Sequence, residues 1–146
     1  MNQHIVSKIA IYLLALALFA FGIEHFTHPN DLVVKVPDFL PGGMVWVHLV
    51  GIAFMLAALS FITNIWVRTA AYLLAILLFT FVLTVHLPQY LETADRGYQQ
   101  LAFNNMLKDA ALAAFALYIA SNARHQRILE DTEVREERRE TELVPQ

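Results

Sequence analysis

Residues 44–62 of the chain read MVWVHLVGIAFMLAALSFI and contain no Asp, Glu, Lys or Arg. The hydrocarbon core of a bilayer is about 30 Å thick, so a helix that rises about 1.5 Å per residue needs about 20 mainly apolar residues to cross it. This stretch meets that requirement. It follows Pro41-Gly42-Gly43 and precedes Thr63-Asn64, which are residue types that commonly bound helices. The stretch is therefore predicted to be a transmembrane helix.

Three further stretches have the same length and apolar character, namely residues 5–24, 67–86 and 101–121. Together the four stretches predict an all-α fold, an integral membrane bundle of four transmembrane helices. The bundle is expected to occupy residues 1–122, and a charged tail is expected over residues 123–146.

The first stretch has an alternative interpretation as a secretory signal peptide. Lys8 precedes an apolar run, and Ala15-Leu16-Ala17 resembles a cleavage site. The apolar run continues through Phe21 and is long enough to span, which favours a retained helix.

Composition supports a membrane protein and excludes several functions. Hydrophobic residues make up 58% of the chain and charged residues 16%, against roughly 45–50% and about 25% in soluble domains. The net charge of −3 provides no basic field for nucleic acid. The chain has no cysteine, which excludes disulfides, thiol catalysis and cysteine-ligated metals. Any redox chemistry would need a bound cofactor or a partner subunit.

Basic residues beside the span ends predict the orientation in the membrane. They divide unequally between the two sides, with Lys8, Arg68, Arg124 and Arg127 on one and Lys35 and Arg96 on the other. Basic residues favour the cytoplasmic side. Both termini and the turn near Asn64 are therefore predicted to be cytoplasmic.

The tail after Arg124 alternates Glu and Arg. Oppositely charged residues three and four positions apart favour a solvated helix, which is expected to fray towards the end of the chain. The alternative is a docking site for a cytosolic partner.

Polar residues of the four spans collect at one level of the membrane. Because the chain reverses at each turn, all of them map to the outer leaflet, and they predict a ligand-binding polar pocket formed by Glu24, His25, His48, His86, Asn105, Lys108 and Asp109. Lys108 is expected to pair with Glu24 across the bundle. No catalytic residue and no metal ligand is assigned.

Two other interpretations of the same residues stay open. The polar groups could form a hydrogen-bond network that only fixes the helix register. Alternatively, two of the four outer histidines could hold a metal ion or haem; these are His25, His28, His48 and His86.

Several short motifs, in this order, resemble the DoxX family of bacterial and archaeal membrane proteins. The motifs are Gly22-Ile23-Glu24-His25-Phe26, Val36-Pro37-Asp38-Phe39-Leu40-Pro41, His48-Leu49-Val50-Gly51-Ile52-Ala53, Arg68-Thr69-Ala70-Ala71, His86 and Asn105-Met106-Leu107-Lys108-Asp109. The resemblance covers roughly residues 5–122. Phe54 departs from it, because many DoxX proteins carry Glu shortly after the glycine of the second helix.

The resemblance implies a multi-pass protein of the bacterial inner membrane. DoxX proteins are associated with redox complexes, and the family is named after a subunit of an archaeal thiosulfate:quinone oxidoreductase. The implied function is a membrane subunit of a redox or quinone-linked complex, with quinone as the first candidate cofactor and haem or a metal ion as a weaker one. The implied partners are the lipid bilayer, redox subunits in the membrane and further copies of the chain, with no nucleic acid. The alternatives are a non-catalytic scaffold or assembly protein and a small-molecule binding or transport protein.

The predicted orientation can be tested with single cysteines, because the natural chain has none. Asp38→Cys should react with a membrane-impermeant maleimide in intact cells, whereas Asn64→Cys should react only after the cells are opened. Equal labelling of the two positions in intact cells would contradict the four-span topology.

Overall fold

The computed structural model describes residues 3–143, except for the side chains of residues 3–4, 124–134, 136–137 and 140–143. Every regular element in this range is helical, which confirms the predicted all-α class. The elements are α1 (Gln3–Thr27), α2 (Pro29–Val33), α3 (Gly43–Thr63), α4 (Val67–Phe81), a π-helical turn (Val82–His86), α5 (Leu87–Glu92) and α6 (Arg96–Leu143).

Three helical segments of the described chain are long and apolar enough to cross a membrane, namely Ile5–Thr27, Gly43–Thr63 and Val67–Glu92. They contain the first three predicted spans. The fourth predicted span, residues 101–121, is helical as part of α6, but α6 is not among the three. Its crossing of the membrane and the orientation of the termini stay predictions.

The helices pack as two pairs. α1 lies mainly along α3, α4 lies along α6, and α3 joins the pairs through its contact with α4. Alanines occupy much of the core, and Ala15, Ala58, Ala71, Ala113 and Ala116 have no exposed surface. Small side chains let helix backbones approach closely, which is how helices associate where lipid replaces water.

Two glycines allow the close approach of α1 and α3. A Cβ atom added to Gly51 would lie 2.8 Å from the Cβ of His25 and 3.3 Å from the carbonyl oxygen of Gly22. A Cβ atom added to Gly22 would lie 3.1 Å from the carbonyl oxygen of Gly51. The crossing therefore has no room for a side chain at Gly51.

A π-helical turn interrupts the third span just before Pro88. Proline has no N–H to donate to the carbonyl of Thr84, four residues earlier, and its ring crowds that carbonyl. The chain widens instead, and the N–H of Leu87 donates to the carbonyl of Val82. Because a π-helical turn is wider than an α-helical one, His86 at its end takes a different direction from the one a continuous α-helix would give it.

The segment between α2 and α3 folds back over one end of the bundle. We call residues 34–42 the cap segment. It turns tightly, with the N–H of Leu40 donating to the carbonyl of Pro37 at 3.0 Å. The indole N–H of Trp46 in α3 donates to the carbonyl of Pro41, also at 3.0 Å. This bond ties the cap segment to the beginning of α3.

The glycine crossing gives a prediction about stability. Gly51→Ala should lower the free energy of unfolding by about 1–3 kcal/mol, because the new methyl group must push α1 and α3 apart. The measurement is thermal unfolding in detergent. Gly97→Ala, at the exposed beginning of α6, is the matched control: its new Cβ would meet only the exposed side chain of Asp95, at 3.1 Å, which can move without separating two helices, so the melting temperature should change little. Equal melting temperatures for Gly51→Ala and the natural protein would show that the crossing is not tightly packed.

Candidate functional site

A cavity of about 460 Å³ lies between the two helix pairs, at the end covered by the cap segment. We call it the bundle cavity. Small-molecule sites typically have about 300–1,000 Å³ and a mostly apolar lining with a few polar groups. The ionisable and amide side chains in its wall are Glu24, His25, Lys35, His86, Asn105, Lys108 and Asp109. The apolar part of the wall includes Phe21, Val47, Val50, Phe54, Leu77, Leu78 and Phe81.

A buried hydrogen bond joins His86 to Asp109. The Nε2 atom of His86 lies 2.9 Å from Oδ2 of Asp109, and the two residues are only 8% and 5% exposed. A carboxylate can only accept, so the ring N–H at Nε2 donates. This bond connects the π-helical turn to α6.

The other ring nitrogen of His86 is buried and has no hydrogen-bond partner among the described residues. A second N–H at Nδ1 would be a buried donor without an acceptor, which is costly. The geometry therefore favours the tautomer with the proton on Nε2 and a lone pair on Nδ1.

Lys108 lies next to the second carboxylate oxygen of Asp109 and continues the polar wall of the cavity. Its Nζ atom lies 3.5 Å from Oδ1 of Asp109 and 3.4 Å from Oδ1 of Asn105. It also lies 4.9 Å from the centre of the Phe21 ring, within the range of cation–π attraction. The side chain is 44% exposed, and it lines the bundle cavity.

The expected pairing of Lys108 with Glu24 is not seen. Both side chains line the bundle cavity, but the acidic group within ion-pair distance of Lys108 is Asp109. Neighbouring residues of a helix point about 100° apart, which favoured a partner on another helix. The lysine side chain is long and flexible enough to return to its neighbour, and that is the arrangement observed.

His25 reaches the cavity from α1. Its Nδ1 atom lies 2.7 Å from the carbonyl oxygen of Phe21, one helical turn earlier. A carbonyl only accepts, so Nδ1–H donates, and in the neutral ring Nε2 then carries the lone pair. The ring meets the Phe54 ring edge-on, with 5.4 Å between centres.

Six of the seven residues assigned to the polar pocket line the bundle cavity, and His48 does not. The six are Glu24, His25, His86, Asn105, Lys108 and Asp109. The ring of His48 packs instead against Phe26, with 5.4 Å between centres. The direction of His48 on α3 therefore leads away from the cavity.

The apolar residues between Phe26 and Gly43 predict that this segment folds back as a cap over the bundle, and the structure places it there. The sequence also offers the phenylalanines of the spans as a possible aromatic lining, without deciding between that role and packing. The cap segment contributes four residues to the cavity wall, and α3 adds Trp46; the four are Lys35, Val36, Pro37 and Leu40. No periodic pattern in the sequence assigns these residues to a site.

Phe54 lies at the centre of the aromatic wall. Its ring centre is 6.1 Å from that of Phe21 and 6.3 Å from that of Phe81. Aromatic pairs at these distances stabilise one another. The residue that departs from the DoxX pattern thus packs one side of the bundle cavity.

No group of three or more His, Asp or Glu side chains converges as a metal site would require in the part of the chain that the structure describes. The polar wall is better suited to hydrogen bonding. It offers a cationic donor at Lys108, a carboxylate at Glu24 and a ring lone pair at His25.

A family described as "Domain of unknown function (DUF8561)" matches residues 14–120, which include the cavity-lining parts of α1, α3, α4 and α6. No curated protein and no solved structure gives a significant match. The resemblance to DoxX proteins stays a prediction. On the extent of the match, the chain belongs to the DUF8561 family.

Proposed function

We propose that the chain is a four-span protein of the bacterial inner membrane that binds the head group of an isoprenoid quinone in the bundle cavity. Its role is that of a membrane subunit in a redox or quinone-linked complex. Both termini are cytoplasmic, and the cavity opens in the outer leaflet. The observation that carries this proposal is a cavity of about 460 Å³ with an aromatic wall and a hydrogen-bonding wall inside a bundle of apolar helices.

The packing of α6 supports a fourth span. Charged groups are expensive in a bilayer, by about 2.5–3.5 kcal/mol each on insertion scales, unless they face the protein interior and have partners. Asp109 is 5% exposed and bonded to His86, and Lys108 lies against Asn105 and Asp109. The charged residues of the predicted fourth span, Lys108 and Asp109, therefore line the cavity, and this part of α6 can cross the membrane beside α4.

The lining of the cavity suits both chemical parts of an isoprenoid quinone, the ring of the head group and the hydrocarbon tail. A quinone head group is a flat ring with carbonyl oxygens, which need hydrogen-bond donors. Lys108 supplies a donor, and Phe21, Phe54 and Phe81 supply flat apolar surface for the ring. The aliphatic part of the lining, which includes Val47 and Val50, matches a hydrocarbon tail.

A scaffold protein would hold the same polar groups together without a ligand. The two functions differ in one measurable property, because only the first predicts saturable binding of a small molecule at the cavity. The two tryptophans allow this to be measured at a defined place. Trp46 lines the cavity, whereas Trp66 lies at the α3–α4 turn and is 74% exposed.

We expect a short-chain benzoquinone to quench the fluorescence of Trp46 saturably. Trp66→Phe leaves Trp46 as the emitter, and its quenching in detergent should reach a plateau as the quinone concentration rises. Trp46→Phe leaves Trp66 as the emitter and is the matched control, which should show only linear, collisional quenching. Linear quenching in both variants, together with no quinone in lipids extracted from the purified protein, would contradict quinone binding and favour the scaffold.

A further inference from the structure

Two polar groups of opposite hydrogen-bonding character face the bundle cavity. Lys108 on α6 can only donate, because an ammonium group has no lone pair. His25 on α1 can accept through Nε2, because its Nδ1–H is already used by the carbonyl of Phe21. The bond to Phe21 is the only one that the His25 ring forms within the described residues.

Phe21 contacts both of these groups, and Phe54 packs beside it. His25 bonds to the backbone of Phe21 at 2.7 Å, and the Lys108 ammonium lies 4.9 Å from the centre of the Phe21 ring. Phe54 contacts both the Phe21 ring and the His25 ring. A ligand in the bundle cavity can therefore meet a donor, Lys108, and an acceptor, His25, in the same wall.

The oxidised and reduced forms of a quinone differ in what they offer to these groups. A quinone carbonyl only accepts hydrogen bonds, so it suits Lys108 and meets lone-pair repulsion at Nε2 of His25. A quinol hydroxyl can donate, and it can bond to Nε2 of His25. The acceptor therefore distinguishes the two forms.

We propose that His25 sets the preference of the bundle cavity for the quinol over the quinone, by accepting a hydrogen bond from a ligand hydroxyl at Nε2. This inference rests on the quinone-binding function proposed above. His25 is the specificity-determining residue, and Lys108 is a donor to an oxygen atom of either form.

The test measures dissociation constants for a benzoquinone carrying one isoprene unit and for its quinol, by equilibrium dialysis in detergent under argon. His25→Phe keeps a ring against Phe54 and removes the acceptor. It should weaken quinol binding about tenfold, as expected for a lost hydrogen bond, and leave quinone binding within about twofold. For a two-electron couple, the midpoint potential of the bound ligand should fall by about 30 mV.

Two further variants separate this role from a merely structural one. His25→Gln offers an amide N–H to the Phe21 carbonyl and an amide oxygen to the ligand, so it should recover part of the quinol affinity. Lys108→Met should weaken the quinone more than the quinol and so change the ratio in the opposite direction. His28→Phe and Lys8→Met are the matched controls, because neither residue lines the cavity, and both should bind like the natural protein.

The failures of the two proposals can be told apart. If His25→Phe weakens both forms equally, or neither form, the assignment of His25 is wrong while quinone binding stands. If the natural protein binds neither form, quinone binding itself is wrong and the assignment falls with it.

Discussion

The hydrogen bond between His86 and Asp109 is the interaction on which the arrangement of the bundle depends. A carboxylate that is 5% exposed within an apolar bundle must have partners, because an uncompensated buried charge costs several kcal/mol. His86 donates a hydrogen bond to one carboxylate oxygen at 2.9 Å, and the ammonium of Lys108 lies 3.5 Å from the other. Satisfying Asp109 therefore fixes the register of α6 against the third span. It also builds the hydrogen-bonding wall of the cavity from the same atoms.

Local sequence explains how His86 comes to face Asp109. Pro88 cannot donate to the carbonyl of Thr84, and the backbone widens into a π-helical turn that ends at His86. Hydroxyl groups support this region, since Thr84 donates to the carbonyl of Thr80 at 2.7 Å. The backbone next to Pro88 thus directs the His86 side chain towards Asp109 on α6. The close crossing of α1 and α3 at Gly22 and Gly51 positions the wall of the cavity that these two helices form.

The bounds of three apolar spans could be predicted from sequence, whereas direction around each helix could not. The thickness of a bilayer sets the length of an apolar span, and His25, His86 and Asp109, which were expected at one level, line the same cavity. His48 was expected at that level too but packs on Phe26, because nothing in an almost uniformly apolar helix distinguishes its faces. The partner of Lys108 was missed because a long side chain can reach several neighbours. The apolar residues of the cap segment predict that it covers the bundle, but they do not show which of them line the cavity, because irregular chain has no period from which contacts can be read.

The most direct test of this account is a double-mutant cycle on the buried pair, with His86→Phe and Asp109→Leu read by equilibrium unfolding in detergent. Each single change leaves a buried polar group without its partner, and Asp109→Leu also removes the acid beside Lys108. We expect each to cost about 3–5 kcal/mol, and the double change to cost about 1–3 kcal/mol less than the sum of the two. Costs that add to within about 0.5 kcal/mol would contradict the claim that this bond holds α6 to the third span.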